Sequence, residues 1–167
     1  MTSLSLILCL HAQEFEGIEK GDKELSFYAN LSTVVGYENY NYASGNVNVS
    51  YGAYLANIFS IGIAPGLSVS TSNGEVNADF SGSVFMNLNF SSTKRTFGFF
   101  RASYYQSTFD VDDAADLLTY AYAQAGLGFK SFFNENLAWE TILNYGLSLD
   151  NPEIGHINLT TGLTIKF

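Results

Sequence analysis

Residues 75–90 read Glu75-Val76-Asn77-Ala78-Asp79-Phe80-Ser81-Gly82-Ser83-Val84-Phe85-Met86-Asn87-Leu88-Asn89-Phe90. Val76, Ala78, Phe80, Val84, Met86, Leu88 and Phe90 share one parity; Glu75, Asn77, Asp79, Ser81, Ser83, Asn87 and Asn89 share the other. Successive side chains of a strand point to opposite faces, so this alternation predicts one long strand, greasy on one side and polar on the other. The polar side carries mostly Ser and Asn, where a water-facing surface of a soluble protein carries Lys and Glu.

The same period runs outward from this segment in both directions. Strands are expected near residues 23–36, 46–55, 59–70, 75–90, 96–109, 117–132, 137–149 and 156–167, joined as successive hairpins. Pro65 is awkward in a continuous ladder and predicts a bulge or kink. Only 113–118 has any claim to be a helix. The chain has 167 residues, enough for one domain. Its 14 Phe, 11 Tyr and single Trp, with 14% charged residues, exclude a disordered chain. Its net charge of −9 argues against a nucleic-acid partner, which calls for a basic face. No apolar run approaches the roughly 18 residues of a membrane-spanning helix.

Eight hairpin-linked strands predict an all-β, eight-stranded antiparallel up-and-down barrel, since closure removes the sheet edges. A soluble barrel would turn its apolar face inward, and a membrane barrel outward to lipid. Three features favour the membrane form. The polar face is small and uncharged, with glycines at 52, 62, 66, 126, 128, 146 and 162 where a narrow interior leaves no room. Aromatic residues gather near strand ends: Tyr37, Tyr40 and Tyr42 at one end, and Phe90, Phe97, Phe132, Phe133, Trp139 and Phe167 at the other. Such girdles mark membrane interfaces. Strands of ten or more residues also suit a tilted crossing. With an even strand count both termini share one side. The short turns near 57, 92 and 135 are then periplasmic. Residues 37–45, 109–117, 149–155 and the short 71–74 segment are external.

Residues 1–12 have the apolar run and Ala12 of a secretory signal peptide, but no Lys or Arg precedes the run, so the n-region is missing. A start codon set too far downstream would explain this; the other reading is a short buried strand. The start codon and cleavage site stay open. Leu6-Ile7-Leu8-Cys9 departs from a lipoprotein box, because Leu8 is not small. Cleavage after Ala12 would leave no Cys and a single His. Residues 13–22 read as a polar, solvated lead-in, and 23–167 as the barrel.

Two stretches resemble a known family. Gly126-Leu127-Gly128-Phe129-Lys130-Ser131-Phe132-Phe133-Asn134-Glu135-Asn136-Leu137-Ala138-Trp139-Glu140 resembles the strand–turn–strand signature of small eight-stranded bacterial outer-membrane β-barrel proteins of the OmpX/OmpA type. The ending Leu163-Thr164-Ile165-Lys166-Phe167 resembles the C-terminal assembly signal of that class. The resemblance implies an outer-membrane location and a bilayer and lipopolysaccharide environment. It also implies recognition by the barrel assembly machinery through Leu163, Ile165 and Phe167.

The presumed interior holds Glu24, Glu75, Asp79, Arg101, Lys130, Glu140, His156 and Lys166. Charges in a dry lumen must pair or be hydrated. Arg101 is mid-strand, within reach of Asp79 on one side, with Glu140 two strands away. A structural network of Glu24, Asp79, Arg101 and Glu140 with tyrosines is expected to fill the lumen, leaving little room for a pore. Gly155-His156-Ile157-Asn158 invites comparison with the His-x-Ser-Asn motif of outer-membrane lipid A deacylases. Asn158 stands where that motif has its nucleophile, and an amide cannot attack an ester. No catalytic, cofactor-binding or metal site is therefore assigned, and no cofactor is expected. Asp110, Asp112, Asp113 and Asp116 form an acidic loop that lacks the Gly and distal Glu of an EF-hand. Divalent-cation binding there stays open. Lys94 and Arg95 read as a charged hairpin cap.

The resulting expectation is a monomeric, non-enzymatic barrel with a side-chain-filled lumen. Its role is structural or in surface interaction: envelope integrity, adhesion, or an extracellular ligand held by loops. The alternatives are a narrow channel or small-molecule transporter of the outer membrane, and a soluble lipocalin-like carrier. The last requires Leu25, Phe27, Val76, Phe80, Leu159 and Leu163 to point inward.

Overall fold

The computed structural model describes residues 17–35, 42–72, 75–92, 95–108, 121–149, 151–153 and 155–167. Eight strands follow one another in chain order. They are β1 (Lys23–Val35), β2 (Tyr42–Ala56), β3 (Phe59–Ser72), β4 (Glu75–Ser92), β5 (Thr96–Thr108), β6 (Ala121–Phe132), β7 (Leu137–Ser148) and β8 (Gly155–Lys166). Every strand pairs antiparallel with its chain neighbour, and β1 pairs with β8 from Glu24↔Lys166 to Val35↔Gly155, so the sheet closes into a barrel. The expected polar segment 37–45 is partly strand. Ala43, Ser44 and Gly45 pair with Thr33, Ser32 and Leu31 on one side and with Thr71, Ser70 and Val69 on the other, carrying the ladder onward. The expected leader 1–12, the outer segments 36–41 and 109–120, and the start of the sixth strand at 117–120 lie outside the described residues.

Side-chain direction decides what surrounds the barrel. On β4, Leu88 is 49% exposed and Asn87 3%; on β8, Ile165 is 41% exposed and Thr164 buried at 0%. Phe27, Val76, Phe80, Leu159 and Leu163 all face outward, which removes the soluble-carrier alternative. The outer wall is a continuous band of Leu, Ile, Val and Phe. Twelve residues at roughly 3.3 Å each, inclined by about 40°, cover roughly 30 Å, the thickness of a bilayer's hydrocarbon core. A closed barrel also leaves no sheet edge unpaired in lipid. The chain is a transmembrane barrel.

Pro65 does not produce the expected bulge. The β3–β4 register runs unchanged through Pro65↔Gly82. On the β2 side the ladder is interrupted between Asn48↔Gly66 and Tyr51↔Ile63 and resumes in the same register. Proline lacks the N–H, so a rung is lost while the strand stays extended. The register shifts lie elsewhere, at Tyr54/Ala56 and at Phe90/Ser92, beside the short turns.

Two girdle assignments change. Phe97 and Phe132 are buried inside the barrel, where with Ala138 they form an apolar cluster. Their parity explains it: Phe97 shares a face with Phe99 and Arg101, and Phe132 with Lys130. Phe90, Phe133, Trp139 and Phe167 do face outward. Residues 17–22 are also less solvated than expected. Ile18 packs on the Phe97 cluster, the Gly21 amide donates to the Tyr54 carbonyl, and Lys166 pairs with Asp22 at 3.2 Å. This segment forms a strap under the end of the barrel that carries the short turns.

Candidate functional site

Period-two alternation sends one side chain in two into a narrow cylinder, and glycines set where large ones fit. Tyr28 stands directly across from Gly162, Phe85 from Gly62, Phe99 from Gly128 and His156 from Gly146. A Cβ added at any of these glycines would lie within 3 Å of the partner's ring. The interior is thus filled by large polar and aromatic groups lying over bare backbone.

A charged cluster occupies the middle of this filling. Lys130 and Glu140 are cross-strand partners on β6 and β7, and Lys130 Nζ is 3.0 Å from Glu140 Oε2. The same ammonium donates to Glu24 Oε2 at 2.6 Å, across the lumen on β1. Arg101 Nη2 donates to Glu140 Oε1 at 3.0 Å. Glu140 also accepts from the Tyr28 hydroxyl at 2.9 Å and from Thr164 at 3.3 Å, so each of its oxygens has two donors. Glu24 accepts from the Tyr54 hydroxyl at 2.9 Å. Two carboxylates and two cations balance, and all four are buried. Charges so placed are tolerable only when paired and fully hydrogen-bonded, as these are.

The cluster reaches every strand. Arg101 Nε donates to Asn87 Oδ1 at 2.7 Å, and Asn87 donates to Ser60 at 3.2 Å, extending it through β4 to β3. Tyr54 brings in β2, and Thr164, bonded to Ser26 at 2.9 Å, brings in β8. Phe85 and Phe99 hold the guanidinium of Arg101, with ring centres 4.2 and 5.4 Å from its central carbon, a cation–π arrangement. We call this cluster the belt.

Three of the residues expected in the lumen network, Glu24, Arg101 and Glu140, meet in the belt. The side chain of the fourth, Asp79, lies outside the described residues; its backbone pairs with Ser68. Lys130 is the hinge of the cluster, although sequence reasoning placed it only on the inner face. Tyr54, Phe85 and Phe99 went unassigned; their shared parity with Glu24, Asn87 and Arg101 was the available signal. His156 is inward near the other end, with its Nε2 2.8 Å from Gln124 Nε2 and its ring edge-on to Tyr122 at 4.4 Å. Its ring also lies 6.3 Å from that of Tyr105. No group of three metal-ligating residues occurs among the described residues. The Asp110–Asp116 stretch lies outside them. Of the proposed assembly signal, Leu163, Ile165 and Phe167 all face outward.

No protein-family model and no curated protein matches the chain. Solved structures do. The N-terminal β-barrel domain of OprF from Pseudomonas aeruginosa aligns with a TM-score of 0.61 at 14% identity, covering 89% of this chain and 98% of that one. Ail, the attachment invasion locus protein of Yersinia pestis, aligns at 0.55 and 14% identity, covering 89% and 99%. The outer membrane protein OprG of Pseudomonas aeruginosa aligns at 0.54 and 12% identity, covering 92% and 99%. Closed topology, an outward apolar band, a filled polar lumen and these likenesses agree: the chain has the eight-stranded transmembrane β-barrel fold of the small bacterial outer-membrane proteins of the OmpX/OmpA type.

Proposed function

We propose that this protein is a monomeric, non-enzymatic outer-membrane barrel with a sealed lumen, whose role is structural or in surface interaction through its outer loops. One observation carries the reading: the belt joins all eight strands across the interior, and every charged group in it is paired. A conducting pore needs a continuous wet path, and here Arg101, Lys130, Tyr28 and Phe99 fill the bore. Planar-bilayer recording of the folded protein tests this. Absence of sustained conductance is expected, and steady ohmic channels would overturn it in favour of a narrow transporter.

The distribution of charge suggests the kind of external partner. The segments between strands at the outer end hold Glu38, Asp110, Asp112, Asp113, Asp116, Asp150 and Glu153, and no Lys or Arg. All seven basic residues lie elsewhere: Lys20, Lys23, Lys94 and Arg95 near the short-turn end, Arg101 and Lys130 in the belt, and Lys166 at the end of β8, paired with Asp22 of the strap. An acidic outer end attracts cationic surfaces and repels polyanions. Ail has been solved with the heparin analogue sucrose octasulfate; this chain's loops favour the opposite sign, or a divalent ion bridging to lipopolysaccharide phosphates. Leu163 and Ile165 on the last strand and the Phe167 that follows it are read as the signal for the barrel assembly machinery, and residues 1–12 as the leader.

A further inference from the structure

Each strand of the barrel is tied to the next by the chain that runs between them. The pair β1–β8 joins the first strand to the last and has no such tie. This seam is extended at its lower end by two backbone bonds of 2.9 Å, from the Lys23 amide to the Phe167 carbonyl and from the Phe167 amide to the Lys23 carbonyl. Pairing strands so far apart in the chain carries the largest loop-closure cost, which favours forming this joint last and opening it first.

Residues 17–22 lead into β1, yet β8 grips them. Lys166 Nζ, at the end of β8, is 3.2 Å from Asp22 Oδ2 and donates to the Gly17 carbonyl at 2.9 Å, so one ammonium holds both ends of the segment. The stretch between is shaped by its own bonds. The Asp22 amide donates to the Glu19 carbonyl at 3.2 Å, and the Glu19 amide donates to Asp22 Oδ2 at 2.9 Å. Gly21 sits at φ +100°, where glycine is free of strain. The turn is fastened to β2 and the short turn after it: the Gly21 amide donates to the Tyr54 carbonyl and the Tyr54 amide to the Asp22 carbonyl, both at 2.9 Å, and the Lys20 amide donates to Asn57 Oδ1 at 3.0 Å. Ile18 packs on Phe97, Phe132 and Ala138, from β5, β6 and β7. The segment therefore draws on strands from both sides of the seam, and its contacts with Lys166 need β8 in place beside β1.

We propose that residues 17–22 are a clasp on the β1–β8 seam, which docks once the sheet has closed and slows its reopening. The belt fills the bore without them, so the clasp acts on the joint between strands and not on the seal. Contacts made after the folding transition state raise the barrier to unfolding and leave the folding rate alone. The clasp thus supplies kinetic stability at the one joint that the chain itself does not tie.

The full chain carrying Ile18→Ser and Asp22→Asn together, compared with wild type in detergent micelles, tests it. Jumps into urea give the unfolding rate and dilution out of urea the refolding rate, both followed by heat-modifiable gel mobility. Unfolding is expected to be about tenfold faster, with refolding unchanged. An unchanged unfolding rate would show that the segment only rests against the barrel, and would overturn the proposal. Slower refolding with unchanged unfolding would place docking before closure and overturn it as well. Hydrogen exchange read by mass spectrometry locates the effect. Amides of 23–27 and 163–167 are expected to exchange faster in the variant, and those of β3 and β4 to keep their wild-type rates. A uniform rise over all eight strands would mean a general loss of stability and would sink the assignment to the seam. Where the double variant fails to fold, Asp22→Asn alone keeps the side chain's size and gives the same readouts, with unfolding several-fold faster.

Discussion

The ring of Phe99 sits over Gly128, its cross-strand partner, with 2.4 Å from the ring edge to where a Cβ on residue 128 would lie. No real Cβ tolerates that distance. The ring in turn helps fix Arg101, and Arg101 reaches Glu140. A missing side chain on β6 therefore positions a charge on β5.

Gly128→Ala should destabilise the barrel by about 1–3 kcal/mol, the usual cost of forcing extra volume into a packed interior. Urea unfolding in micelles, followed by heat-modifiable gel mobility, measures it. Gly82→Ala is the control. A Cβ there meets nothing within 4 Å, so a change within about 0.5 kcal/mol is expected. Equal losses at the two positions would refute the account of the packing.

Glu140→Gln should cost more. The substitution strips Arg101 of its carboxylate and leaves Lys130 with Glu24 alone, in a site where Glu140 is fully buried. Removing one member of a buried, hydrogen-bonded ion cluster costs about 3–5 kcal/mol. A cycle of Glu24→Gln, Lys130→Met and the double variant should be less than additive, since the double removes both the charge and its partner. Additive losses would mean that the two side chains act independently.

How much of this was readable without coordinates depends on the kind of contact. The Lys130–Glu140 pair follows from local information: the turn at Asn134–Asn136 sets the register of its hairpin, and the two residues fall opposite each other. Outward and inward sets follow from parity alone, which is why Leu88 and Asn87 fall as expected. Parity also predicted an inward Phe97 and Phe132, but their nearness to strand ends suggested a girdle, and the floor of the lumen was missed. The Glu24–Lys130 and Tyr28–Glu140 contacts were not readable. They cross a closed cylinder, and which levels meet there depends on the stagger of all eight strands together. Lys130 was left out of the network all the same, although its pairing with Glu140 was open to local reading.

The outward band makes a depth-dependent prediction. Leu143 lies mid-strand on β7 and faces lipid. Leu143→Arg should cost about 2–4 kcal/mol, and Leu137→Arg, at the strand's start near the short turns, about 0–1 kcal/mol. Reversible refolding into lipid vesicles measures both. A similar cost at both positions would contradict the placement of the bilayer around this wall.

The acidic outer end predicts which ligands the surface accepts. In nanodiscs, a highly sulfated polysaccharide should not bind, and a cationic peptide should bind with an affinity that falls as salt rises. Exposed charges interact over about 8 Å at physiological ionic strength, so raising the salt to 1 M, where that length falls to about 3 Å, should abolish the binding. Replacing Asp110, Asp112, Asp113 and Asp116 together by Asn should weaken it without changing the unfolding midpoint, because the belt is built from other residues. If the sulfated polymer bound and the cationic peptide did not, the proposed sign of the partner would be wrong. If calcium alone restored polyanion binding, the acids would act by bridging.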